Sequence, residues 1–188
     1  MAFRLPDRIA IFFDGSNLFY ALREFNDRNR MSIKINYAKL VEKLATGRPL
    51  LRAYYYCSHK VPIDPGVAKF HESLQYSGIQ VVAKPLQSRT DMVTGQSYFV
   101  EKGIDVALVT DLLCLTWENA FDTAVLVSGD ADFSQTVDRV KYKGKRIEIA
   151  AFRGSFSAEL RRIADRIIFL DDLIEEISLV SPLHDTAR

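Results

Sequence analysis

Two acidic residues directly follow a short apolar run in the second half of the chain. In VSGDADF (127–133), Asp130 and Asp132 stand two positions apart, just after the apolar segment TAVLVS (123–128). A solvated turn would account for them, and so would a helix cap, because an acid near a helix N-terminus gains about 0.3–1 kcal/mol. A site that needs negative charge held at the end of a strand would account for them equally well.

Two further segments place acidic residues at comparable positions. Asp14 ends the apolar run RIAIFF (8–13), and Asp105 follows Gly103 at the start of a helical segment. Each acid alone fits an ordinary turn or cap, but carboxylates gathered at one place repel one another unless a cation neutralises them. Mg²⁺ and Mn²⁺ prefer carboxylate and water oxygens. The sequence therefore predicts a set of metal-ligating and catalytic carboxylates: Asp14, Asp105, Asp130 and Asp132.

Short strands that alternate with helices must position these acids. The apolar, β-rich runs that predict strands are 8–13, 50–57, 79–86, 123–128, 146–152 and 167–170, and helix-period segments separate most of them. This alternation predicts an α/β fold, a three-layer α/β/α sandwich with a mostly parallel, Rossmann-like central sheet. Ligands of such sheets bind at the carboxyl ends of the strands, which gives Asp14 and Asp130 the same location.

Local patterns make three further predictions. The stretch 87–100 carries a Thr-Gly turn signal between two β-type runs, which favours a hairpin or an irregular excursion. Ser16 or Asn17 is placed to cap the first helix. Helix 103–120 is predicted to present one apolar face, formed by Val106, Val109, Leu112 and Leu113.

Composition indicates one ordinary globular domain. The 188 residues predict a single domain over 1–180 with a frayed tail at 181–188. Cys57 and Cys114 are too few for a disulfide framework, and both are predicted to be small buried hydrophobes. No signal-peptide core or bilayer-length apolar run is evident, so the protein is expected to be cytoplasmic, without a membrane partner. A homodimer is compatible with the sequence.

Three segments together are similar to a known family. IFFDGSNL, KGIDVALVTDLL and VLVSGDADFSQTVDRVKYKGKRIEI resemble the NYN domain family, in its LabA-like branch, which is related to the PIN-domain and 5′-nuclease superfamily. The resemblance implies a PIN-like sandwich whose acidic pocket binds divalent metal and cleaves RNA. By this resemblance, the four acids match the acidic positions of the family's pocket. Asn17 matches the asparagine of the family's first motif, and Ser128 matches the small polar residue before the glycine.

The function predicted from these observations is a Mg²⁺- or Mn²⁺-dependent ribonuclease that favours single-stranded RNA. Asn17, Lys102 and Ser128 are the predicted substrate-binding residues, with the N-terminus of the first helix favouring a phosphate. The formal net charge of +1 offers no general attraction, so RNA must be held by a local basic patch. The alternative is a non-catalytic RNA-binding or regulatory module that retains the acidic pocket.

Several polar features have simpler interpretations. Glu101 is interpreted as a solvated residue, and Asp111 lies too far round its helix to join the other acids. The basic run 139–146 complements the dipole of a helix C-terminus as readily as it binds RNA. A haloacid-dehalogenase-type phosphatase would need an acid at the position of Ser16, and a nucleotide-binding Rossmann domain would need a glycine fingerprint after the first strand.

Overall fold

A parallel sheet forms the centre of the molecule. The computed structural model describes residues 7–92 and 94–179, and its main sheet has six strands in the order β3-β2-β1-β6-β7-β8. The strands of this sheet are β1 (Ile9–Asp14), β2 (Leu50–His59), β3 (Ile79–Pro85), β6 (Thr123–Val127), β7 (Arg146–Ala151) and β8 (Arg166–Phe169). All its pairings are parallel. A separate antiparallel pair consists of β4 (Gln87–Thr90) and β5 (Ser97–Val100).

Helices cover both faces of the main sheet. They are α1 (Gly15–Asn29), α2 (Tyr37–Ala45), α3 (Pro65–Tyr76), α4 (Ile104–Trp117), α5 (Ser134–Tyr142), α6 (Ala158–Ile163) and α7 (Ile174–Ile177). One apolar core packs α1, α2 and α3 against the sheet, and a second packs α4, α5 and α6 against the opposite face. This is the predicted three-layer α/β/α sandwich.

The central strand β1 shows why the chain forms such a sandwich. All six of its residues are buried, because its side chains alternate between two covered faces. Ile9, Ile11 and Phe13 enter the first core, whereas Ala10 and Phe12 enter the second. A near-continuous apolar run is therefore what this position in the sheet requires.

The strand order reverses beside β1. The chain builds β2 and β3 on one side of β1 and then returns to build β6, β7 and β8 on its other side. A crevice forms at the carboxyl ends of the strands at such a reversal, and it is the usual ligand position in open α/β sheets. Asp14 ends β1, and Asp130 follows the neighbouring strand β6 closely, as the sequence predicted.

Two local predictions are wrong. The cap of α1 is Asp14, whose carboxylate accepts the Asn17 N–H, because the strand runs into the helix with no intervening loop. The buried residues of α4 are Ile104, Leu108, Leu112 and Thr116. Leu112 is buried as predicted, and Val109 and Leu113 pack against the second core, but Val106 is 65% exposed. Helix α4 is apolar on nearly every side, so the spacing of its apolar residues could not exclude Val106 from the core face.

The two cysteines differ in their surroundings. Cys57 is buried as predicted, at the end of β2, but Cys114 is exposed on α4 and its predicted burial is wrong. The hairpin expected within 87–100 is confirmed as the β4–β5 pair. The predicted tail 181–188 lies outside the described residues. Within residues 7–92 and 94–179, no helix is long and apolar enough to cross a membrane.

Candidate functional site

Asp14 is the most enclosed acid of the predicted site. Its side chain is 6% exposed. One carboxylate oxygen accepts the backbone N–H of Asn17 at 3.0 Å, and the other accepts the Ser128 hydroxyl at 2.8 Å. The pKa of Asp14 is raised from 3.8 to about 6, chiefly by burial. The two hydrogen bonds lower this pKa, and the charges of Asp105 and Asp130 raise it. The strand end thus holds a fixed carboxylate whose ionisation is costly.

Ser128 and Asn17 connect the first acidic segment to the last. The Ser128 hydroxyl, which donates to Asp14, also accepts the Asp130 N–H at 3.2 Å. The Asn17 side-chain oxygen accepts the Gly129 N–H at 3.0 Å. Ser128 is only 2% exposed, so its hydroxyl acts on the orientation of Asp14 and Asp130. Its predicted contact with substrate stays a prediction.

Two glycines allow this close approach. A Cβ at Gly15 would lie 2.5 Å from the Tyr56 carbonyl oxygen, and a Cβ at Gly129 would lie 2.0 Å from the Ser155 carbonyl oxygen. Both distances are shorter than any real contact, and the obstructing atoms belong to backbone. The glycines that follow Asp14 and precede Asp130 are therefore required for the acids to lie where they do.

Asp130 and Asp132 lie at a short 3-10 turn, Ala131–Phe133. The Asp130 carboxylate accepts the Asp132 N–H at 2.9 Å and caps this turn. Asp130 therefore acts as a cap, which is one of the roles considered from the sequence. Both acidic side chains are exposed. A cap occupies only part of the oxygen lone pairs of a carboxylate, so capping leaves Asp130 able to bind a cation.

Asp105 connects the middle segment to the other two. It lies in the first turn of α4 with an exposed side chain. Partial burial of its carboxyl group raises its pKa, and so do the negative charges of Glu101, Asp130 and Asp132. Acids from three separate segments are therefore close enough to influence one another.

Glu101 is an acidic neighbour that sequence reasoning missed. Its side chain is exposed, as interpreted, but its carboxylate also accepts the Ser16 hydroxyl at 2.7 Å. This bond ties the segment before α4 to the first turn of α1. The two residues are 85 positions apart, so no local sequence signal could have indicated the contact.

The four predicted acids have no basic counterpart. Among residues 7–92 and 94–179, none of Asp14, Asp105, Asp130 and Asp132 forms a salt bridge. Uncompensated carboxylates are the donor type that suits a hard divalent cation. As the side chains stand, however, no three His, Cys, Asp or Glu residues of this described part form a group that could hold a metal ion. The chemistry of the donors fits Mg²⁺ or Mn²⁺, but the ligand set is not preassembled.

Lys102 follows Glu101 on the segment that leads into α4. Its side chain is exposed. It makes no hydrogen bond or salt bridge with the described residues, so its charge is available to an anion. The structure also contains a groove of about 950 Å³ that is lined in part by Ser16 and Glu101.

Comparison with known proteins identifies the family. The sequence model of the NYN domain family matches residues 8–171. The chain belongs to the NYN domain family. Over 179 residues this NYN domain is 34% identical to the low amplitude and bright protein LabA of Synechococcus elongatus, covering 92% of the chain and 88% of that protein. Over 106 residues it is 32% identical to an uncharacterized protein, y4oD, of Sinorhizobium fredii, covering 54% of the chain and 49% of that protein.

A solved structure agrees with the fold of this NYN domain. A protein of unknown function from Vibrio parahaemolyticus superposes with a TM-score of 0.74 at 25% sequence identity, covering 95% of this chain and all of that one. The NYN domain family is associated with nucleases. The names of the compared relatives state no activity.

Proposed function

We propose that this NYN domain is a divalent-metal-dependent ribonuclease that hydrolyses RNA phosphodiester bonds at the acidic edge of its sheet. The observation that carries the proposal is the meeting of Asp14, Asp105 and Asp130 from three separate segments, with no basic side chain to neutralise them. Helix caps that follow parallel strands would also gather at this edge, but capping does not require the charge, because asparagine caps about as well as aspartate. Membership of a family associated with nucleases supports the same function.

Each acid has a role in this proposal. Asp14 and Asp130 are the direct ligands of Mg²⁺ or Mn²⁺, because Asp14 ends β1 and the Ser128 hydroxyl holds both residues by hydrogen bonds. Asp105 and Asp132 complete the set directly or through water. The bound ion would supply a water of lowered pKa and a positive charge opposite the scissile phosphate. Ser128 orients Asp14 and Asp130 through the two bonds of its hydroxyl.

The substrate contacts follow from groups that remain available. Lys102 offers an exposed, unpaired ammonium group to the RNA backbone. Asn17 uses its side-chain oxygen for Gly129, which leaves its amide N–H groups to donate to a phosphate. The N-terminus of α1, just beside them, favours negative charge.

The test is cleavage of end-labelled single-stranded RNA in Mn²⁺. The wild-type protein is expected to cut, and Asp14→Asn and Asp130→Asn are expected to lose the activity, as is the wild type in excess chelator. Asp138→Asn is the matched control, since Asp138 is an exposed acid on α5. Cleavage that survives both substitutions or the chelator would refute the proposal.

A second candidate is a non-catalytic RNA-binding or regulatory module. The absence of a ready group of three ligands in the described part of the chain favours it. The same assay separates the two candidates. Wild-type protein that binds the labelled RNA but leaves it intact in Mg²⁺ and in Mn²⁺ would support the module and contradict the ribonuclease.

A further inference from the structure

The β4–β5 hairpin is largely exposed. We call its described residues, 87–92 and 94–100, the arm. Its two strands pair only with each other in the described sheets. All four residues of β4 and the first three of β5 are exposed. A segment with so little burial contributes little to the core, so its side chains are explained better by contact with something outside the domain.

The arm exposes aromatic rings on both of its faces. Tyr98 and Phe99 are each 50% exposed. Because they are adjacent in a strand, they point to opposite sides. The Lys60 ammonium lies 5.0 Å from the centre of the Phe99 ring. Tyr98, in contrast, has no ring or cation partner among the described residues. The Tyr98 face is therefore the open one.

A cation lies beside the open ring. Arg89 is directly opposite Tyr98 in the antiparallel register, so both side chains occupy the same face. Arg89 is exposed and makes no hydrogen bond or salt bridge with the residues that the structure describes. The nearest acid in the arm is Asp91, which lies at the turn and accepts the Thr94 N–H. The Tyr98 ring can stack on a base, and the Arg89 guanidinium can donate hydrogen bonds to a phosphate.

The arm is held close to the acidic edge. Its last residue, Val100, precedes Glu101, whose carboxylate accepts the Ser16 hydroxyl. Ser16 lies in the first turn of α1, which Asp14 caps. Only four residues separate Val100 from Asp105, and these five steps span at most about 18 Å when fully extended. A strand of RNA with one nucleotide at the acids can therefore reach the arm with a nucleotide a few positions away.

We propose that the arm is a binding surface for single-stranded RNA, in which Tyr98 stacks on a base and Arg89 contacts an adjacent phosphate. This inference rests on the proposed ribonuclease function and adds where the substrate is held. Stacking on an aromatic ring needs a base whose face is not already stacked, and the bases inside a duplex are stacked on both faces. A single ring beside a single cation is also too small an apolar surface for a stable protein interface.

Binding to a fluorescein-labelled oligouridine in chelator, followed by anisotropy, tests this inference without cleavage. Tyr98→Ala is expected to weaken binding about tenfold, and Tyr98→Phe is expected to keep the affinity because it keeps the ring. An oligonucleotide with abasic positions should bind wild type and Tyr98→Ala alike. Arg89→Ala should reduce the slope of log affinity against log salt by about 0.7, the value for one phosphate contact on a single strand.

Matched controls come from the opposite edge of the sheet. Tyr76→Ala removes a 91% exposed tyrosine at the end of α3, and Arg162→Ala removes an exposed arginine in the last turn of α6. Both are expected to bind as wild type does. Equal losses in these controls would mean that the effect is not specific to the arm, and the inference would be wrong.

The outcomes separate this inference from the ribonuclease proposal. RNA cleavage by wild type, with unchanged binding in Tyr98→Ala and Arg89→Ala, would overturn the arm's role and leave the ribonuclease intact. Arm-dependent binding without cleavage in Mn²⁺ would support the arm and refute the ribonuclease. A change of oligomeric state in Tyr98→Ala, with RNA affinity retained, would overturn the inference by making the arm an interface between copies.

Discussion

Asp14 has two roles that make opposite demands on its charge. It caps α1 through the Asn17 N–H, and it brings a buried negative charge to the end of β1. Asparagine caps a helix about as well as aspartate, so capping does not require the charge. A charge that capping does not need, and that burial makes costly, indicates a function for the carboxylate itself.

The stability of the metal-free protein should reveal this cost. The pKa of Asp14 is raised from 3.8 to about 6 in the folded protein. Between these two values the folded state binds more protons than the unfolded state. Stability therefore falls as pH rises through this window, and the penalty is complete above pH 6. Asp14→Asn removes the penalty and should be more stable than wild type at pH 7, by on the order of 2 kcal/mol.

Urea denaturation in chelator, at pH 4 and at pH 7, measures this difference. The advantage of Asp14→Asn should be present at pH 7 and nearly absent at pH 4, where Asp14 is protonated in wild type. A variant that is less stable than wild type by the same amount at both pH values would show that only hydrogen bonding matters at this position.

At the scale of elements, the segment after β6 must pass very close to the turn before α6. A Cβ at Gly129 would meet the Ser155 carbonyl oxygen at 2.0 Å, and the obstructing group is backbone that cannot rotate away. The Gly129 N–H also donates to Asn17, which fixes this segment from the other side. Element packing and the position of Asp130 therefore depend on one glycine.

Gly129→Ala should cost about 3 kcal/mol or more in the free energy of unfolding, because the backbone must shift. Gly66→Ala is the control: its Cβ would meet only the flexible Asp64 side chain, at 3.0 Å, within the first turn of α3. Alanine is the better helix former there, so this change should be nearly neutral. Chemical denaturation compares the two, and equal losses would contradict the packing argument.

The elements themselves were largely predictable, whereas the faces they bury were not. Each predicted strand exists, because an apolar run bounded by turn residues suffices to indicate one. Val106 and Cys114, both on α4, were assigned to the core but are exposed, since a helix that is apolar on nearly every side carries little amphipathic signal. The parallel topology was enough to bring Asp14 and Asp130 to one edge.

The bonds within the site were beyond prediction. The Ser128 hydroxyl contacts Asp14 across 114 positions, and Glu101 contacts Ser16 across 85. Such contacts depend on side-chain directions that only the assembled fold determines. Sequence reasoning therefore identified the type of residue at the site but not the network that orients Asp14.

At the scale of the whole molecule, the acids of the candidate site differ from the acids at the amino edge of the sheet in whether they have a basic partner. At the amino edge, acids are paired: Asp122 with Arg8 at 3.0 Å, Glu148 with Arg48 at 2.9 Å, and Asp165 with Lys141 at 3.1 Å. At the carboxyl edge, the four acids of the candidate site have no such partner in the described part of the chain. Paired acids serve structure, and we propose that the unpaired group binds a cation from outside.

Removing a partner at the amino edge should therefore affect stability alone. Arg48 forms two hydrogen bonds with the buried carboxylate of Glu148, at 2.9 and 3.0 Å. Arg48→Ala leaves that charge with only Arg166, at 3.8 Å, among the described residues, and should cost about 3 kcal/mol. Thermal melts should show the loss, while added Mn²⁺ should stabilise this variant as much as it stabilises wild type. A reduced response to Mn²⁺ would contradict the separation of the two edges.

The location of a bound metal tests the central claim most directly. Crystals grown with Mn²⁺ and measured near the manganese absorption edge give an anomalous difference map that shows the ion itself. We predict a peak at ligand distance, roughly 2.0–2.5 Å, from carboxylate oxygens of Asp14 and Asp130, with Asp105 and Asp132 in contact directly or through water. A map with no peak at the carboxyl edge of the sheet, at Mn²⁺ concentrations that saturate known Mn²⁺-dependent nucleases, would contradict a metal-dependent site there.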